Sequence, residues 1–271
     1  MSLVLFMLTG VIAGFAAGLL GIGGGSIIVP ASLLIFAAFP DLGIEQRFAM
    51  QMAIATSLAT IPFTGISAVY RHLQLGRVNW PLVMMLSPGI ILGSLFGAPL
   101  AEYMGGLILE KIFGVFQIVV GVQLLLASGQ DFRKKTKAKS ESPHMPKLLG
   151  GLSGFCIGIL SSLLGIGGGS ITVPFLAWRK FKMQEAIAVS STLGVLLAIV
   201  ASLSFAFTGL QETSDIAFAY GYVFLPGVLA ILSMSLICSR LGVNLTYKVS
   251  STRLKTVFSV YSLGIGIMFI V

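Results

Sequence analysis

Residues 18–30 read GLLGIGGGSIIVP, and residues 162–174 read SLLGIGGGSITVP. Eleven of the thirteen positions match, at an offset of 144. Three consecutive glycines strongly disfavour a continuous helix, because each costs about 1 kcal/mol against alanine. The glycines upstream match as well, Gly10 with Gly154 and Gly14 with Gly158. Downstream, MQMAIATS at 50–57 parallels MQEAIAVS at 183–190, and Pro88-Gly89 parallels Pro226-Gly227. Matches in one order mark a duplication. The expected organisation is a first repeat over 1–128, a linker over 129–147 and a second repeat over 148–271.

Composition names the environment of both repeats. Of 271 residues, 56% are hydrophobic and only 10% are charged, with mean hydropathy +1.00. An ordinary soluble domain carries roughly 25% charged residues, and one this apolar could not cover its surface. Disorder is excluded on the same ground. The two cysteines, Cys156 and Cys238, sit in apolar runs and make no disulfide scaffold. The expected class is an all-α polytopic membrane protein.

Cutting the chain at each charged residue leaves long runs at 1–40, 48–70, 78–101, 112–130, 148–178, 186–211, 216–239 and 256–271. Six of these suit one span each, at about 20 residues per span. The runs 1–40 and 148–178 are too long: as one helix, the shorter of them would reach roughly 46 Å. Both contain GIGGGS. Each is therefore expected to enter the membrane, break at the glycines and turn back, giving a re-entrant hairpin plus three transmembrane helices per half. MSLVLFMLTG has no basic start and reads as a first membrane element, not a cleavable signal.

The formal charge of +8 falls in short loops, so it reads as topology and not as nucleic-acid binding. The linker, with Arg133, Lys134, Lys135, Lys137, Lys139 and Lys147, is expected inside, as are 71–77, 179–185 and 240–255. Loop 41–47 and loop 212–215 are expected outside. Corresponding loops then lie on opposite sides, which is an inverted-topology repeat. The alternative, with each broken run a single span, gives two parallel halves of four. It puts 212–215 and 240–255 on the wrong sides.

The chemistry expected is anion binding by backbone. GIGGGS lacks the Lys of a phosphate-binding P-loop and the spacing of a dinucleotide fingerprint. Ser26 and Ser170 are expected as N-caps, with half-helices starting at Ile27 and Ile171 and Pro30 and Pro174 close behind. Free N–H groups and the positive dipole ends would then meet at mid-membrane. The substrate-binding candidates are Gly23, Gly24, Gly25, Ser26, Gly167, Gly168, Gly169 and Ser170. Hydroxyls and amides that could complete the site are Gln51, Thr56 and Ser57 in the first half, with Gln184, Ser190, Ser191 and Thr192 in the second. Simple helix packing would also explain the glycines, and helix–helix hydrogen bonding the hydroxyls. No run holds an internal charge, so no catalytic group, metal site or cofactor is expected, nor a buried carboxylate proton relay. The expected partners are a small anion and the lipid bilayer, with self-association as a homo-oligomer left open.

Two G-x-G-G-G-x-x-x-x-P segments, each followed by A-x-A-x-S, resemble the TauE/SafE family of sulfite and organosulfur anion exporters. Here they read GIGGGSIIVP with AIATS, and GIGGGSITVP with AIAVS. The resemblance runs through both halves. It implies export of small sulfur-containing anions, such as sulfite or sulfonates like sulfoacetate, across a bacterial inner membrane by a multi-pass protein. The halves are not identical: Val189 stands where the first half has Thr56, and the Pro30–Met50 interval is eleven residues longer than Pro174–Met183. An anion channel and an accessory subunit of a sulfur-handling complex are the competing readings.

Overall fold

The computed structural model describes residues 1–20, 24–129, 146–214, 216–245 and 251–270. The linker positions 130–145 and Gly23 lie outside the described residues, as does Asp215. The rest is helical apart from one small hairpin. The helices are α1 (Ser2–Leu20), α2 (Gly25–Ala38), α3 (Gln46–Gln74), α4 (Trp80–Gly129), α5 (Lys147–Leu163), α6 (Gly169–Trp178), α7 (Met183–Thr208), α8 (Leu225–Leu245) and α9 (Ser251–Ile270). A 3₁₀ turn, Pro40–Leu42, links α2 to α3. Strands β1 (Ala219–Tyr220) and β2 (Val223–Phe224) pair antiparallel ahead of α8.

Both GIGGGS segments interrupt a helix, between α1 and α2 and between α5 and α6. α4 is two helices end to end. Gly105, at φ 72° and ψ 165°, breaks it into arms at 80–104 and 106–129, a conformation that glycine adopts at little cost. The arms follow the charge-free runs 78–101 and 112–130. Each half therefore has the same order: a broken helix, a long helix, then two more.

The start sites of the half-helices differ from expectation. α2 begins at Gly25 with Gly24 at the cap, and α6 begins at Gly169 with Gly168 at the cap. Neither cap makes a side-chain hydrogen bond. Ser26 and Ser170 are thus second-position residues inside the helix, not N-caps. In α6 the physical reason is Gly168, whose left-handed φ of 72° turns the chain into the helix without a side-chain cap. The Gly168 carbonyl accepts from Ile171 and Thr172, and the Gly24 carbonyl accepts from Ile27 and Ile28.

The helices of the two halves interlock along small-residue seams. Phe6, Gly10 and Gly14 of α1 lie against Gly227, Ile231 and Ser235 of α8, one turn per step on both sides. α1 and α8 are therefore parallel. Gly89, Gly93 and Gly97, on one face of the first arm of α4, lie against Gly151, Phe155 and Ser162 of α5, again in parallel. A Cβ on Gly89 would sit 2.0 Å from the Gly151 carbonyl oxygen. In lipid, where there is no hydrophobic drive between helices, backbone approach of this kind supplies the packing. The second arm of α4 and α9 run antiparallel: Gly114 meets Gly266, and the Ser259 hydroxyl donates to Gly121 O at 2.7 Å.

The remaining directions follow from cross-contacts. Asn79, just ahead of α4, bonds Glu185 at the start of α7, and Ser204 near the end of α7 donates to Leu95 O, so α7 runs with the first arm of α4. α3 runs against that arm, since Gln51 reaches Ala101 O and Gly106 packs on Arg47 O. The Tyr222 N–H donates to Phe205 O, so α8 starts where α7 ends.

The surface is apolar. Met84, Leu92, Phe96, Leu107, Leu126, Phe207, Leu229 and Val260 are all exposed. A soluble monomer does not display so continuous an apolar exterior. The interior is mainly apolar, and the polar side chains fully buried in it among the described residues are Ser, Thr and Gln, with the Tyr222 hydroxyl. Three helices, Gln46–Gln74, Trp80–Leu126 and Gln184–Thr208, are long and apolar enough to cross a membrane.

Candidate anion site at the helix breaks

The two breaks touch. A Cβ on Gly25 would lie 2.3 Å from Gly165 O and 3.0 Å from Ile166 Cα, so the first turn of α2 rests on the backbone that leads into α6. Gly165, at φ +65°, is in turn pressed against Val29 of α2 and the Ile54 backbone of α3. Gly167 packs on Ile61 of α3, and its carbonyl oxygen fills the place of a Cβ on Gly194 of α7. Helices α3 and α7 therefore hold the second break from two sides. The glycines serve both as breakers and as the only residues that admit this approach.

Polar groups collect at this junction. The Ser57 hydroxyl donates to Gly165 O at 2.9 Å. Gln117, on the second arm of α4, donates from Nε2 to Ser26 O at 3.1 Å. Ser26 is fully buried, and its Oγ has no partner among the described residues, as is true of Gln117 Oε1 and Ser190 Oγ. An unpaired buried hydroxyl costs about 1–3 kcal/mol. The ladder of α2 starts at Ile27 and that of α6 at Ile171, so the Gly25, Ser26 and Gly169 amides precede it, and a half-helix start carries roughly half a positive charge. Donors without a cation, in a low-dielectric interior, suit a small anion.

Not every candidate belongs to this junction. Thr56 accepts from the Phe224 N–H at 3.1 Å and so ties α3 to β2. Ser191 and Thr192 bond the carbonyls of Ile187 and Ala188, one turn back in their own helix. Gln51 is buried and faces the α4 kink through Ala101 O and Gly106. Gln184 is exposed in a depression at one end of the molecule. Cys156 is exposed rather than packed inside. Gln117 is the residue that sequence reading missed. Its only signal is an amide in the charge-free run 112–130, which also holds Gln123 and Gln130, and the sequence does not disclose its neighbours.

At the end of α3 opposite the depression, Phe48 stacks against Tyr222 at 5.7 Å between ring centroids. Tyr222 is fully buried, and burial, with the charges of Glu102 and Glu212, pushes its hydroxyl well above the ordinary tyrosine range.

An all-helical, lipid-facing fold whose buried polar groups surround two interrupted helices defines a membrane transporter. The chain matches the family described as "Sulfite exporter TauE/SafE" over residues 6–269. It is 34% identical over 265 residues, covering 98% of this chain and 97% of the relative, to a "Probable membrane transporter protein" of Haemophilus influenzae. It is 28% identical over 256 residues to "Probable membrane transporter protein MJ0441" of Methanocaldococcus jannaschii, covering 94% and 90%. It is 29% identical over 239 residues to "Probable membrane transporter protein YunE" of Bacillus subtilis, covering 84% and 85%. The chain belongs to the TauE/SafE sulfite exporter family of membrane transporters.

Proposed function

We propose that the protein exports small sulfur-containing anions, sulfite or organosulfonates such as sulfoacetate, across a bacterial inner membrane by alternating access. The observation that carries this reading is the contact of Gly25 with Gly165, which brings two interrupted helices to one place beside Ser26, Ser57 and Gln117. The anion is held by first-turn amides and hydroxyls, with no buried Lys or Arg among the described residues. Binding of this kind is strong enough to select charge and weak enough to release it.

The alternation rests on inverted halves, and the helix directions support that inversion. α1 runs with α8, α5 runs with the first arm of α4, and these two sets point opposite ways. α3 opposes α7, and the second arm of α4 opposes α9. α2 turns back along α3 through the short Pro40–Leu42 connection, which favours a hairpin over a through-running span. Each long element of the first half thus has a counterpart of opposite sense, the architecture in which one unit rocks against another around a central site.

The test is flux into proteoliposomes of labelled sulfite and a small sulfonate, with phosphate and chloride for comparison. Saturable, trans-stimulated flux of a sulfur anion that Gly168→Leu removes is the expected result. Unsaturable flux without trans-stimulation would favour a channel. No flux of any of these anions through folded protein would overturn the reading.

A further inference from the structure

The basic end of the molecule carries a feature that the central junction does not use. An open depression of about 440 Å³ lies between the turn that follows α3 and the segment that leads into α7, lined by Gly76, Arg77, Asn79, Lys182, Gln184 and Glu185. Its two sides come from different halves of the chain. It could admit an oxyanion with several waters, since one water takes about 30 Å³.

The charges in it are already sorted. Glu185 is its one carboxylate, and it is engaged elsewhere: Oε1 accepts from Asn79 Nδ2, and the residue sits in the first turn of α7, where the helix dipole favours a negative charge. Asn79 is held too, because its Oδ1 accepts from the Leu82 N–H at 3.1 Å and caps α4. No carboxylate lies within 4 Å of Arg77 or Lys182 among the described residues; the one ion pair there is Arg47 with Glu45. Two cations therefore line the depression without an ion pair among the described residues, with the exposed Gln184 amide beside them; Arg71 ends α3, and Arg179 and Lys180 precede α7.

Its depth in the bilayer is also indicated. Trp80 follows Asn79 directly, Trp178 ends α6 just before Arg179, and both are exposed. Exposed tryptophans at span ends mark the headgroup level. We infer that this depression is a second oxyanion site, specific for a phosphate group, which Arg77 and Lys182 bind from opposite halves of the chain with Gln184 as a neutral donor. Arg77 offers a planar fork and Lys182 a point charge, the usual pair of phosphate binders. The phosphate comes either from a lipid headgroup or from a soluble anion. In either case an occupant bridges the first half to the second.

The two tryptophans of the chain flank the site and report on it. The intact protein is placed in nanodiscs of pure phosphatidylcholine and titrated with inorganic phosphate while tryptophan emission is followed. The same measurement is made in nanodiscs that contain phosphatidic acid. A response to inorganic phosphate that weakens about tenfold in Arg77→Gln and vanishes in Arg77→Gln/Lys182→Gln supports the site with a soluble ligand. A shift seen only with phosphatidic acid, and lost in the same double variant, supports it with a lipid ligand. The charge-retaining Arg77→Lys/Lys182→Arg variant should keep most of either response. Gly168→Leu should keep it in full, which separates this site from the transport site. The same response in wild type and double variant, or none in either membrane, overturns the inference.

Discussion

Replacing Gly25 and Gly24, one at a time, with alanine separates a glycine that breaks a helix from one that admits a neighbour. At Gly24 the backbone is ordinary right-handed helix, φ −74° and ψ −10°. A Cβ there would meet Ile28 Cδ1 at 3.2 Å, the end of a flexible side chain that can give by a few tenths of an ångström, and Ala13 Cβ at 3.4 Å, an ordinary contact. Gly24→Ala is expected to be neutral, or to stabilise by up to about 1 kcal/mol through the unfolded chain. At Gly25 the obstacle is Gly165 O at 2.3 Å, with Ile166 Cα behind it at 3.0 Å. That is roughly an ångström short of ordinary contact, and the obstacle is backbone pinned by Ser57, Val29 and Ile54. The junction must open. Overpacking of this kind costs about 1–3 kcal/mol. Thermal unfolding in detergent and anion flux in proteoliposomes, on both variants, make the assay. Gly25→Ala should unfold several degrees earlier and lose most of its flux, while Gly24→Ala keeps both. Equal melting and equal flux in the two variants would refute the claim that the breaks touch.

Three further outcomes are expected. Ser57→Ala removes the bond to Gly165 O and leaves a buried carbonyl unpaired, which should lower stability by about 1–3 kcal/mol; Ser190→Ala, which removes an Oγ without a partner among the described residues, should cost less in the same melting assay. Tyr222→Phe removes a fully buried hydroxyl without a partner among the described residues, so its melting temperature should stay level or rise; a loss of several degrees would mean that the hydroxyl is bonded. Single cysteines at Asp41 and Lys180, in corresponding loops of the two halves and in a background free of Cys156 and Cys238, should be labelled from opposite sides of sealed vesicles, and labelling of both from one side would overturn the inverted arrangement.

What the sequence disclosed follows its local physics. Three glycines in a row break a helix wherever they stand, so both interruptions were legible, and charge-free runs gave the helices, including the two arms of α4. Seams between helices were not legible in that way. Gly10, Gly14, Gly154 and Gly158 showed as a repeated spacing, but Gly10 and Gly14 meet Ile231 and Ser235, 221 residues away, and Gly154 and Gly158 meet Leu86 and Ile90, 68 residues away, and no local rule pairs them. The half-helix starts were misread by two residues because serine is the commoner cap. At Gly168 a left-handed glycine does that work in α6, and in α2 it is the Ser26 backbone carbonyl, with no N–H on Pro30 to accept from, that accepts from Gln117. Gln117 itself stayed hidden because its run also holds Gln123 and Gln130, and nothing local says which amide meets an α2 carbonyl.

The duplication is nevertheless unequal in its bonds. In the first half, Ser57 ties α3 to the opposite break at Gly165 O, and Thr56 ties it to the Phe224 N–H ahead of α8. In the second half, Val189 stands in the place of Thr56 and offers no hydroxyl, and Ser190 Oγ finds no partner among the described residues. α3 is thus bonded to both neighbouring elements of the other half through side chains for which α7 has one substitute that cannot bond and one that does not. An alternating transporter of the kind proposed needs a unit that stays and a unit that moves. In that frame α3 is the better-tied unit, because Thr56 and Ser57 bond it to the other half at two points and the corresponding positions of α7 make no such bond among the described residues.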